Sequence, residues 1–132
     1  MKATDLMVGD FVNVNDLPLR VGAIRQDELG FFDNDYKIYW CSDDEFDRID
    51  PIPLTEDILV KNGFSEIHHP GTGATDEYSE WFLGGIKITE WLEDWKDHHF
   101  STGGDDCSIS FNYVHQLQHL LRLCGIEKEI EI

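Results

Sequence analysis

Two histidines spaced for a shared helix face are the clearest chemical feature of this chain. His115 and His119 lie four residues apart in a segment with helical periodicity, so they face the same side of a predicted helix. Such a pair can bind zinc, but the metalloprotease pattern requires glutamate directly after the first histidine. Gln116 occupies that position and cannot accept a proton. We therefore expect a polar binding face shared with Gln118 and Arg122, without a bound metal or cofactor.

A second candidate site is the aromatic middle of the chain. Trp81, Trp91 and Trp95 lie close together in the sequence, with Phe82 and Phe100 nearby. Exposed tryptophans are typical of binding surfaces, whereas buried ones fill a core. Both interpretations stay open at this point, and the three tryptophans join the histidine face as candidate binding residues.

No complete catalytic set is present in the sequence. The adjacent pairs His68-His69 and His98-His99 are poor metal ligands, because neighbouring residues of a strand point to opposite faces. The chain contains no Gly-x-Ser-x-Gly nucleophile motif, and Gly71–Asp76 lacks the last glycine of a dinucleotide loop. We expect no enzymatic activity. A metal-dependent enzyme that uses His115, His119 and one more histidine or acid remains an alternative.

The net charge of the chain limits the kinds of partner that it can bind. The chain has 27 acidic against 10 basic residues and a formal net charge of −17. Affinity for a phosphate backbone comes from lysine and arginine, so we expect no direct nucleic-acid binding and no attraction to an anionic membrane. A basic protein partner fits the charge, although an acidic surface also serves solubility alone. A further alternative is an acidic mimic of nucleic acid that occupies the basic site of a DNA-processing protein.

The cysteines and the absence of apolar stretches indicate a cytoplasmic protein. Cys41, Cys107 and Cys124 are odd in number and widely spaced, so they suggest no disulfide framework. The segment from Met1 to Val14 contains two aspartates and no apolar run, unlike a signal peptide. No stretch approaches the 18 apolar residues that would predict a membrane span.

Several short strands predict an N-terminal β domain. Runs rich in β-branched and aromatic residues lie between residues 11 and 41, separated by turn-forming Asn15-Asp16 and by Asp33-Asn34-Asp35. This spacing is typical of a small barrel. We therefore predict an SH3-like small β-barrel over residues 1–53.

The remainder, residues 54–132, is predicted to be an α+β domain, which makes the whole chain α+β. Thr55 suits a helix N-cap and Gly63 a helix C-terminus. Gly84-Gly85 predicts a hairpin turn, and apolar residues at helical spacing predict a closing helix that ends at Gly125. We expect residues 65–79 to form a loop and residues 127–132 a terminal strand.

Three segments of the chain resemble a protein family. They are Met1–Val12, the linker Pro51–Phe64 and the closing run Tyr113–Leu121. Together they resemble an uncharacterised family of small acidic proteins from gut anaerobe genomes and their phages or mobile elements. The resemblance implies a bacterial or phage setting and an N-terminal small barrel. It transfers no catalytic or binding residue, and the tryptophan-rich middle lies outside it.

These observations favour a non-enzymatic protein-interaction module in a phage or mobile-element setting. The acidic composition and the surplus of aromatic residues support this hypothesis, as does the incomplete set of catalytic residues. The nucleic-acid mimic and the metal-dependent enzyme remain its alternatives. The sequence leaves the partner's identity and the oligomeric state open.

Overall fold

The computed structural model describes residues 5–73, 76–92, 99–104 and 107–132. The chain divides into two compact units. Unit 1 comprises Met1–Pro53 with Tyr113–His119, and unit 2 comprises Leu54–Asn112 with Leu120–Ile132. The placement of Tyr113–His119 in unit 1 has no counterpart in the sequence analysis, and the domains over residues 1–53 and 54–132 stay a prediction. None of the helices in these ranges is long and apolar enough to cross a membrane.

The described residues form two antiparallel sheets and two α-helices, so the α+β prediction is confirmed. In chain order the elements are β1 (Phe11–Val14), β2 (Leu17–Ile24), β3 (Glu28–Phe32), β4 (Ile38–Ser42), a 3₁₀ helix (Asp43–Arg48), β5 (Ile49–Pro51), α1 (Glu56–Lys61), β6 (Ser65–His69), β7 (Tyr78–Leu83), β8 (Ile86–Trp91), β9 (His99–Gly104), β10 (Cys107–Phe111) and α2 (Val114–Leu123).

The sheet of unit 1 is built from consecutive hairpins in the order β4-β3-β2-β1-β5. Asn15 and Asp16 connect β1 to β2 with φ values of 50° and 65°, as in the type I′ turn that matches strand twist. β4 and β5 are the two edges, and the 3₁₀ helix joins them without pairing. Within the described residues the sheet therefore does not close into a barrel, and the SH3-like detail stays a prediction.

One face of this sheet carries the core of unit 1. Alternate residues of each strand point to that face, and the large side chains there are buried. The buried cluster consists of Leu6, Val12, Leu19, Val21, Leu29, Phe31, Cys41 and Ile49.

Local sequence signals explain where α1 begins and where α1 and α2 end. Thr55 Oγ1 accepts a hydrogen bond from Ile58 N at 3.3 Å, which makes Thr55 the N-cap of α1. Gly63 follows α1 with a φ of 85°, and Gly125 follows α2 with a φ of 71°. Each glycine is the left-handed residue of a Schellman motif. The closing bonds run from Phe64 N to the Leu59 carbonyl and from Ile126 N to the Leu121 carbonyl.

The second sheet corrects two expectations. Its order is β10-β9-β8-β7-β6, and β6 occupies the start of the segment predicted as a loop. This exposed strand is held in place by its pairing with β7. Such a tertiary contact cannot be predicted from the residue types of the segment alone. Residues 127–132 form no strand. Instead Asn62 exchanges hydrogen bonds with the backbone of Glu131, at 2.7 and 2.8 Å.

Candidate functional site

The predicted tryptophan surface is not exposed at Trp81. This side chain is only 1% exposed, and its indole N–H donates to the carboxylate of buried Glu90 at 3.0 Å. Trp91 is half-buried and donates to the Ser101 hydroxyl at 3.3 Å, while Trp95 lies outside the described residues. Trp81 therefore belongs to the core of unit 2, which corrects its assignment to a binding surface.

The exposed aromatic surface lies instead on β4. Ile38, Tyr39 and Trp40 are each between 42% and 44% exposed, although β4 belongs to the same sheet as the buried core. The sequence analysis missed this surface because it selected the tryptophans that lie close together in the sequence and so passed over Trp40. The signal it could have used is that β4, Ile38–Ser42, contains no charged residue.

A groove opens beside this strand in unit 1. Its volume is about 300 Å³, and we call it the β4 groove. Val14, Leu17, Leu19, Phe31, Tyr39, Trp40 and Cys41 supply most of its walls, with Asn15, Glu45 and Arg48 completing them. Leu17 and Leu19 are two residues apart on β2 and share a face. Since Leu19 is buried and Leu17 half-exposed, the groove is the uncovered end of the core-facing side of the sheet.

Trp40 borders the β4 groove, but its indole lies on the opposite face of β4, across from Gly30. Its indole packs over Gly30, where a Cβ atom would come within 3.1 Å of the ring. The guanidinium of Arg25 lies 4.1 Å from the ring centroid, a favourable cation–π geometry. The position of this large apolar side chain is therefore fixed before any ligand arrives, which reduces the entropic cost of binding.

Tyr39 is also oriented by a local hydrogen bond. Its hydroxyl donates to Asp33 Oδ2 at 3.1 Å, and this bond raises the pKa of Tyr39 above its ordinary value. Asp33 Oδ1 in turn accepts from the backbone N–H groups of Asp35 and Lys37, both at 2.9 Å. The β3–β4 turn and the phenol thus form one hydrogen-bonded unit at the end of β4.

The segment of the chain that contains β4 is rich in acidic residues. The segment 27–50 contains nine acidic and two basic residues. One of the two bases, Arg48, forms an ion pair with Glu45, with 3.2 Å between Arg48 Nη1 and Glu45 Oε2. Asp43, Asp44 and Glu45 lie in the first turn of the 3₁₀ helix that follows β4. The segment that supplies Tyr39, Cys41 and Glu45 to the groove is therefore strongly acidic.

The predicted histidine face of α2 is mostly turned inward. His119 Nε2 lies 2.7 Å from Oδ2 of Asp10, which is fully buried and also accepts from Met7 N at 2.8 Å. Gln118 accepts from Phe11 N and donates to the Gly9 carbonyl, both at 2.9 Å. These hydrogen bonds join residues that are 107 to 109 positions apart in the sequence. They attach the start of α2 to the first turn of unit 1.

His115 is buried in the same cluster with an unsatisfied nitrogen. It is 6% exposed, and its Nδ1 atom has no hydrogen-bond partner among the residues that the structure describes. Its ring lies 5.9 Å from that of Tyr113 and 5.7 Å from that of His119, between ring centroids. Burial lowers the pKa of His115 below 6.5; Asp10 opposes this shift and His119 adds to it.

No metal site emerges from these groups. Within the described ranges, no group of three histidine, cysteine, aspartate or glutamate side chains is arranged to hold a metal ion. Arg122, the remaining predicted binding residue, is exposed near the end of α2 and is assigned to unit 2. The metal-dependent alternative therefore gains no support from this part of the chain.

Ser79, His68 and Glu77 in unit 2 are the residue types of a catalytic triad, but their hydrogen bonds do not make Ser79 a nucleophile. Ser79 Oγ lies 3.0 Å from His68 Nδ1, and His68 Nε2 lies 3.2 Å from Glu77 Oε1. However, the Ser79 hydroxyl donates its proton to Glu66 at 2.8 Å, and Ser79 is 0% exposed. A nucleophile must reach its substrate with its proton directed at the base. The arrangement therefore cross-links β6 and β7.

His115 predicts a pH-dependent stability. Because the pKa of this imidazole is lower in the folded state than in the unfolded chain, unfolding takes up protons as the pH falls through 6.5. We expect the free energy of unfolding to fall as the pH drops from 7.5 through 6.5 to 5. His115→Phe, which keeps a ring and removes the titration, should reduce this slope. Urea unfolding at a series of pH values measures it, and equal slopes in both proteins would contradict the assignment.

Searches against protein-family models, curated protein sequences and solved structures find no match to this chain.

Proposed function

We propose that this protein is a non-enzymatic interaction module that binds a partner protein through the β4 groove. The observation that carries the proposal is an apolar groove with half-exposed walls in an otherwise acidic, charged chain. Exposed aromatic side chains held in fixed positions are typical of binding hot spots. The proposal keeps the expected phage or mobile-element setting and the SH3-like description of unit 1 as hypotheses.

The size of the groove favours a protein partner over a metabolite. A volume of about 300 Å³ is at the lower limit of small-molecule pockets. It accommodates one or two side chains of a larger ligand. The remaining affinity would come from the surface of β4 around the groove.

The acidic-mimic hypothesis ranks second. Such a mimic needs carboxylates that are free to replace phosphates on a basic protein. Glu45 instead forms an ion pair with Arg48 and shares the Ser42 hydroxyl with Asp44. These local contacts engage part of the acidic segment, whereas the apolar groove has no role in a mimic.

Leu17→Gln tests the proposal by making one wall of the groove polar. Leu17 is half-exposed, so the substitution should leave the fold intact. We expect recovery of the partner from native host lysate to fall about tenfold, the equivalent of ~1.4 kcal/mol of binding free energy. Quantitative mass spectrometry of proteins captured by the two baits measures the ratio.

Val60→Gln is the matched control. Val60 is exposed on α1 in unit 2 and does not line the groove, so this variant makes the same kind of change outside the proposed site. A protein that is retained by wild type and Val60→Gln but lost from Leu17→Gln supports the proposal. Identical sets of captured proteins from all three baits would overturn it.

A further inference from the structure

β4 is an edge strand without the usual protection. It pairs with β3 alone in the described part of unit 1. Natural edge strands are commonly guarded by charged residues or proline, because bare edges pair with other chains. β4 has neither, and Ile38, Tyr39 and Trp40 are all exposed. By contrast β6, an edge of the other sheet, carries Glu66 and two histidines.

The two faces of β4 both offer apolar surface. Tyr39 and Cys41 point to the core-facing side, where they line the β4 groove. Ile38 and Trp40 point to the opposite side, and Trp40 is fixed there by Gly30 and Arg25. An added strand would therefore find apolar contacts for alternate side chains on each face.

We infer that β4 pairs with an extended segment of the partner protein that carries lysine or arginine, and that one apolar side chain of this segment enters the β4 groove. This inference rests on the proposed function and specifies its partner. In strand addition, main-chain hydrogen bonds supply affinity and pockets for alternate side chains supply specificity. The groove provides one such pocket at the edge where the strand would add.

The charge of the surroundings selects a basic segment over a second copy of this chain. The segment 27–50 that flanks the groove has nine acids against two bases. Two copies meeting edge to edge would bring these acidic segments together, and like charges across an interface oppose association. A lysine- or arginine-bearing strand instead gains attraction from the same acidic segment, which also speeds its encounter.

The test begins with peptides selected against the wild-type protein from a random display library. Their dissociation constants are measured by fluorescence anisotropy with wild type, Leu17→Gln and a triple variant, Asp43→Asn, Asp44→Asn and Asp47→Asn. The matched control is Glu127→Gln, Glu129→Gln and Glu131→Gln, which removes the same charge from exposed positions of unit 2. Each selected peptide is also synthesised with N-methyl groups at alternate residues.

We expect selected peptides to be basic and to lose about tenfold in affinity with Leu17→Gln. The triple aspartate variant should weaken binding several-fold at low salt, and the control variant should not. N-methylation at one set of alternate positions should abolish binding, because it removes the N–H groups that pair with β4, while the other set is tolerated.

The outcomes distinguish a failure of the strand-addition inference from a failure of the proposed function. Peptides that respond to Leu17→Gln but are not basic, or that tolerate N-methylation at both sets of positions, would overturn the strand-addition inference and leave the proposed function standing. Selected peptides that bind wild type and Leu17→Gln equally would overturn both. Dimerisation of the free protein in sedimentation experiments, abolished by Ile38→Lys, would assign the edge to a second copy and overturn the inference.

Discussion

Trp81→Ala should lower the free energy of unfolding by about 4 kcal/mol, the typical cost of removing a large aromatic side chain from a core. The indole is almost fully buried, and its N–H donates to the buried carboxylate of Glu90. Truncation would therefore create a cavity and also remove a donor from a buried acid. Urea denaturation followed by circular dichroism measures the change.

Trp81→Phe separates these two contributions. It keeps most of the apolar volume and removes the hydrogen bond to Glu90, so its cost should be smaller, about 1–3 kcal/mol. Trp40→Ala, at the most exposed tryptophan described, provides the surface comparison and should change stability far less. If Trp81→Ala and Trp40→Ala were equally mild, Trp81 would not be the core residue that its burial indicates.

Asp10→Ala should lower the free energy of unfolding by about 1–3 kcal/mol, because it leaves the Met7 N–H group and the partly buried His119 ring without their acceptor. Asp10 Oδ2 accepts from both Met7 N and His119 Nε2. The substitution would therefore release the first turn of unit 1 and the start of α2 together. Hydrogen exchange at these two segments should rise along with the loss of global stability.

Asp10→Asn and Asp5→Asn are the controls for this cluster. Asn at position 10 keeps the size of the side chain and one acceptor oxygen but loses the charge, so it should cost less than alanine. Asp5 is exposed, and its replacement removes a nearby charge without breaking a buried contact. Unchanged exchange in α2 for Asp10→Ala would show that this carboxylate does not fasten the helix.

Local residue types determined the parts of this protein whose conformation depends on near neighbours. Asn15-Asp16 adopts the positive φ values of a tight hairpin turn, and Thr55 caps α1. Gly63 and Gly125 end the two helices. These features follow from steric limits and hydrogen bonds within a few residues, and the composition likewise established the acidic charge.

Tertiary structure decided which aromatic and titratable groups are exposed. Alternation along a strand says which side chains share a face, but not whether another part of the chain covers that face. Hence the clustered Trp81 is buried, while Trp40 and Tyr39 are exposed beside the β4 groove. The Asp10–His119 contact joins residues 109 positions apart, and only folding, not the helical spacing of the histidines, turns this face toward a buried acid.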